Sequence, residues 1–93
     1  MTKEELNSRI AVLIKINPPP MSTGSTESKR LFKAINEQLG LGLSESLTKP
    51  DMARAICEIS GITWDPSCES RGSTVTKEGL RRVEQAVILL VGR

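Results

Sequence analysis

The stretch Ser70-Arg71-Gly72-Ser73-Thr74-Val75-Thr76-Lys77 has a counterpart 48 positions upstream, Ser22-Thr23-Gly24-Ser25-Thr26-Glu27-Ser28-Lys29. Both read Ser-x-Gly-Ser-Thr, then one variable residue, a hydroxyl residue and Lys. Apolar residues at helical spacing follow each copy, so each is read as the opening of a helix. A loop that opens a helix twice divides the chain into two comparable halves, and the rest of the sequence bears on whether the likeness extends beyond the loop.

It does. Thr2-Lys3 falls on Thr48-Lys49, Leu6 on Met52, Ile10 on Ile56, Leu13 on Ile59 and Ile16 on Ile62. After a two-residue insertion at Thr63-Trp64, Asn17-Pro18 falls on Asp65-Pro66, and Lys29, Lys33, Ile35 and Leu39 fall on Lys77, Arg81, Val83 and Val87. The matches keep one order along nearly the whole chain and include loop residues that helical periodicity does not require. The expected fold is all-α: four helices forming two pseudo-symmetric helix–long loop–helix repeats, over about residues 1–46 and 47–93, around the core of a single domain spanning 1–93.

The helices are placed by their caps and apolar faces. The first is expected from Thr2 to about Ile16, where Thr2 and Glu5 form a capping box and Leu6, Ile10, Leu13 and Ile14 share a face. Asn17 and the prolines 18–20 stop it. The second is expected from about Glu27 to Leu39 with Leu31, Phe32, Ile35 and Leu39 inward and Gly40 as its stop. The third starts at Thr48 or Lys49, tolerates Pro50 in its first turn and closes at Ser60-Gly61. The fourth runs from about Thr76 to Val91 on a stripe of Leu80, Val83, Ala86, Val87 and Leu90.

Composition narrows the chemistry. With 38% apolar and 26% charged residues the 93-residue chain is expected to fold as one domain. Net charge is +2, one unit in each half, so any anion site is local and not a property of the whole surface. Histidine is absent, which removes the commonest general base, and Cys57 and Cys68 alone cannot make a usual structural zinc site. The Asp65-x-Ser67-x-Glu69 spacing departs from a calcium loop because Gly72 comes two places late and Pro66 interrupts it. Gly72-Ser73-Thr74 lacks the Gly-Lys-Ser/Thr of a phosphate-binding loop. No enzymatic activity, cofactor or metal is expected. The opening residues are polar and the longest apolar run, Ala86 to Val91, is too short to span a bilayer, so a cytoplasmic location with free thiols and no membrane partner is expected.

What remains is anion binding. Glycine at 24 and 72 suits a tight turn, the neighbouring hydroxyls precede a helix start, and free N–H groups at such a start favour an anion. The basic pairs Lys29/Lys33 and Lys77/Arg81 each rise on one helix face just after that start. The expected contact set is Ser22, Gly24, Ser25, Thr26, Lys29 and Lys33 from the first copy, and Ser70, Arg71, Gly72, Ser73, Thr74, Lys77, Arg81 and Arg82 from the second. The competing reading of the same residues is capping by Ser and Thr and solvation by Lys and Arg. Trp64 and Phe32 are expected to pack inside instead of stacking on bases.

The phrase Leu47-Thr48-Lys49-Pro50-Asp51-Met52-Ala53-Arg54-Ala55-Ile56 resembles the second-helix phrase of SAP and helix-extended-loop-helix domains, small DNA-binding modules. The stretch from Gly72 to Leu80 is similar to segments in accessory DNA-binding domains of restriction endonucleases. Both resemblances imply duplex DNA as the partner, with backbone phosphates held by the repeated loops and the basic first turns. A second expectation is a protein-interaction or oligomerisation module, either a homodimer or part of a larger protein. It rests on Val87-Ile88-Leu89-Leu90-Val91, which is apolar around the whole helix circumference.

Overall fold

The computed structural model describes residues 2–15, 25–44, 46–70 and 74–92. Four helices carry the fold: α1 (Lys3–Leu13), α2 (Ser25–Leu39), α3 (Lys49–Ser60) and α4 (Lys77–Val91). Between α3 and α4 lie a 3₁₀ turn (Pro66–Cys68) and two short strands, β1 (Glu69–Ser70) and β2 (Thr74–Val75), paired antiparallel with Glu69 opposite Val75 and Ser70 opposite Thr74. The all-α expectation holds.

The caps explain the helix bounds. Thr2 accepts a hydrogen bond from the Glu5 N–H at 3.2 Å while the Glu5 carboxylate accepts from the Thr2 N–H, a complete capping box. These bonds to the anionic form hold the Glu5 carboxyl below its ordinary range. Thr48 accepts from the Asp51 N–H and Thr76 from the Gly79 N–H in the same way. At the other ends, Gly40 and Gly61 stand in the left-handed region. The Ile62 N–H reaches the Cys57 carbonyl and the Gly61 N–H that of Glu58, which is a Schellman closure, and Gly40-Leu41 repeats it on Glu37 and Asn36.

Helix α1 ends three residues short of the expected Ile16, because Lys15 already turns left-handed at φ 60°. Lysine takes that conformation at a cost of about 1–2 kcal/mol, part of which glycine would give back as chain entropy in the unfolded state. Lys15→Gly is therefore expected to raise stability by about 0.5–1 kcal/mol, read as an increased midpoint in urea unfolding.

Helix α4 is the organising element and packs most extensively against α3 and α1. The core joins Leu6, Ile10, Ala11 and Ile14 of the first helix and its cap to Leu31, Phe32 and Ile35 of α2, Met52, Ala53, Ile56 and Cys57 of α3, and Leu80, Val83, Ala86 and Val87 of α4. Phe32 is fully buried, and Trp64 is half-buried against this cluster. The connector after α2 is held by Asn36, whose amide donates to the Leu43 carbonyl at 2.9 Å and accepts from the Leu43 N–H at 2.8 Å. Among the described residues no helix is long and apolar enough to cross a membrane.

Candidate nucleic-acid interface

The described residues on either side of the second loop are tied together by Thr76. Thr76 donates its hydroxyl to the Ser67 carbonyl at 2.7 Å and its N–H to the Cys68 carbonyl at 3.0 Å, while its side-chain oxygen caps α4. One residue thus ties the 3₁₀ turn, the hairpin and the helix start together. Ser70 and Thr74 face each other as the paired residues of β1 and β2. Arg71, Gly72 and Ser73 lie outside the described residues, as do Ser22 and Gly24 of the first loop.

The two motifs differ in backbone conformation where both can be compared. Ser25 and Thr26 are already the first residues of α2, whereas Thr74 belongs to a strand and α4 opens three residues later, at Lys77. Only the first Ser-Thr pair opens a helix directly. The second opens through Thr76, because the hairpin intervenes.

The basic residues divide into two groups. Lys77 and Arg81 are exposed, one helical turn apart on α4; Lys29 is exposed on α2 and Lys33 is half-buried one turn further on. Arg81 lies 3.7 Å from the Glu78 carboxylate with both side chains largely in solvent, an ion pair that holds it loosely. Lys77 is near enough to Glu5 to favour that residue's anion.

Arg82 is used differently. Its guanidinium meets Glu78 Oε2 at 3.0 Å, Asp65 Oδ2 at 2.9 Å and the Thr63 carbonyl at 2.8 Å, so its donor fork is directed into the protein. The contacts with Glu78 and then Asp65 push its pKa further up. Asp65 is in turn the cap of the 3₁₀ turn, and its hydrogen bonds from Ser67, joined by the one from Arg82, hold its carboxyl below the usual range. Arg82 therefore clamps the loop onto α4. The Glu78–Arg82 spacing of four is visible in sequence; the partners at Thr63 and Asp65 are brought in by the fold.

Cys57 and Cys68 are free and buried, and burial, then the neighbouring Cys68, pushes the Cys57 thiol up to about 12, so at neutral pH it offers no thiolate. Among the described residues no three acidic, Cys or His side chains gather where a metal could sit. Lys49, at the start of α3, has its pKa lowered by partial burial and by the nearby charge of Lys3 at the start of α1. Comparisons with family models, with curated proteins and with solved structures find no match.

Proposed function

We propose that this chain is an internally duplicated helical module that binds the phosphate backbone of duplex DNA through the basic pairs Lys29/Lys33 and Lys77/Arg81. The observation that carries the proposal is the agreement of burial between the halves. Leu6, Asn7, Ile10, Ala11 and Ile14 are buried at the start of the chain, and 46 positions later so are Met52, Ala53, Ile56, Cys57 and Ser60. Leu31, Phe32 and Ile35 of α2 are buried, and 48 positions later so are Gly79, Leu80 and Val83 of α4.

Amphipathic helices share such periodicity, but caps and left-handed residues are not a consequence of it. Thr2 and Thr48 both cap through the third N–H of their helices, and Lys15 and Gly61, again 46 apart, both turn left-handed at the helix end. A left-handed lysine is uncommon, so its match to Gly61 supports common descent of the halves. In that frame the two basic pairs occupy equivalent positions, although Lys77 opens α4 while Lys29 stands one turn into α2, an arrangement suited to two phosphates related by a local dyad. Arg82 is left out of the contact set because its fork is engaged, and the free thiols fit the proposed cytoplasmic location.

The test is a salt titration of binding to mixed-sequence duplex DNA by gel shift. Replacing Lys29, Lys33, Lys77 and Arg81 together by glutamine is expected to flatten the dependence of log K on log salt by about 3–4 units, near 0.9 for each lost phosphate contact. A slope equal to that of the unchanged protein, with circular dichroism showing the variant folded, would remove these residues from any DNA contact.

A further inference from the structure

We infer that Glu78 is an internal competitor of phosphate at the second basic pair: it holds Arg81 loosely in the absence of DNA and stays paired with Arg82 when Arg81 is released. The inference rests on the proposed contact of Lys77 and Arg81 with the DNA backbone and concerns what regulates that contact.

Glu78 stands in the first turn of α4, where its charge suits the positive end of the helix. Its two carboxylate oxygens serve different cations. Oε2 accepts a hydrogen bond from Arg82 Nε at 3.0 Å, whereas Oε1 faces Arg81 Nη1 at 3.7 Å, too far for a hydrogen bond. The Arg82 side chain is 24% exposed and is held further by Asp65 at 2.9 Å and by the Thr63 carbonyl at 2.8 Å. The Arg81 side chain is 56% exposed, and Glu78 is its one ion-pair partner among the described residues. One carboxylate thus has a firm partner and a loose one.

A phosphate oxygen accepts from a guanidinium as a carboxylate oxygen does. Contact of Arg81 with DNA therefore replaces its contact with Glu78, and the two acceptors compete. The competition is mild, because the pair it breaks is long and exposed. Arg82 sets the state that is left behind: Glu78 keeps an ion pair, so its charge is balanced beside the incoming phosphate. Without Arg82, the cation left to Glu78 on its own face of α4 is Arg81.

Under the proposed duplication, Lys77 and Arg81 correspond to Lys29 and Lys33, but Glu78 corresponds to Arg30 and Arg82 to Ala34. The half without the carboxylate also lacks the arginine that holds it. Glu78 and Arg82 therefore form a unit, and only the second pair is tempered by it.

The test is the change in affinity for mixed-sequence duplex DNA caused by Glu78→Gln, measured by gel shift at one salt concentration in three backgrounds: the unchanged chain, Arg81→Gln and Arg82→Gln. Glutamine keeps an acceptor for Arg82 and removes the charge. In the unchanged chain, binding is expected to tighten by about two- to fivefold, the range of an exposed ion pair. With Arg81→Gln the gain is expected to fall to about half of that or less, since the coupled partner is gone. With Arg82→Gln it is expected to exceed the gain in the unchanged chain, because Glu78 then turns wholly to Arg81. Arg82→Gln also loosens the loop, so the first two backgrounds decide the matter if circular dichroism shows that variant unfolded. No gain in the unchanged chain, an equal gain with Arg81→Gln, or no larger gain in a folded Arg82→Gln chain would each overturn the inference. If the variant with glutamine at 29, 33, 77 and 81 keeps the salt slope of the unchanged protein, the DNA reading falls and this inference with it. If that slope flattens while Glu78→Gln changes nothing, this inference alone falls.

Discussion

Replacing Gly79 by alanine is expected to destabilise the domain by about 2 kcal/mol, although alanine is the better helix former by about 1 kcal/mol. A β-carbon at this position would lie 2.5 Å from the Cys68 carbonyl oxygen and 2.6 Å from a Val75 methyl, with the Trp64 ring at 3.1 Å. The methyl group can rotate away, but the carbonyl cannot move alone, since it already accepts the Thr76 N–H that closes the hairpin. The loop must lift from α4 as a unit, and overpacking of this kind costs about 1–3 kcal/mol and occasionally more. With about 4–8 °C of melting temperature per kcal/mol for a domain of this size, the midpoint should fall by about 10 °C in a calorimetric scan. An alanine variant as stable as the parent would mean that the hairpin does not rest on α4 at this point.

Under the proposed duplication, the same residue marks a point of difference between the halves. The first-half equivalent of Gly79 is Leu31, which fills the core with a side chain. In the second half the backbone of the 3₁₀ turn and hairpin occupies that space, so only glycine fits. If the halves arose by duplication, the two-residue insertion at Thr63-Trp64 and the glycine belong together: the longer loop folded back onto α4 and displaced the side chain beneath it.

Features set by neighbours in sequence were legible before the structure. The bounds of α3 and α4 follow from Thr48, Thr76 and Gly61 to within a residue, because each cap acts across three or four positions. Leu31, Phe32, Ile35, Leu80 and Val83 were readable as core from spacing alone. The hairpin was not legible, because Glu69 and Val75 have no strand pattern and are held in place by what Thr76 binds. Among the candidate site residues, Arg82 shows the limit of reading charge from sequence. A basic residue near a helix start looks available until Asp65 and the Thr63 carbonyl, 17 and 19 positions earlier, occupy its donors. Lys29, Lys77 and Arg81 keep their outward positions because the residues that bury these helices lie on the opposite face.

Asn7 is expected to give the largest gain. It is fully buried on α1, and neither its amide oxygen nor its amide nitrogen has a hydrogen-bond partner. An unpaired buried polar group costs about 1–3 kcal/mol, whereas an apolar group of similar shape removes that cost. Under the proposed duplication its counterpart is Ala53, also fully buried, which makes an apolar residue compatible with this place in the fold. Asn7→Leu is expected to stabilise by about 2–3 kcal/mol, shifting the urea midpoint upward with an unchanged slope. Asn7→Asp is the counter-test, since it places an unpaired carboxyl where water is excluded. Burial raises the folded-state pKa of such a group above its unfolded value near 3.9, so its stability is retained below about pH 4 and lost as pH rises through the folded-state pKa. The aspartate variant should therefore be strongly destabilised at pH 7 and approach the parent on acidification. Should the leucine variant lose stability and the aspartate variant keep it at pH 7, Asn7 would have a polar partner in the folded protein, and its retention would be explained by that contact.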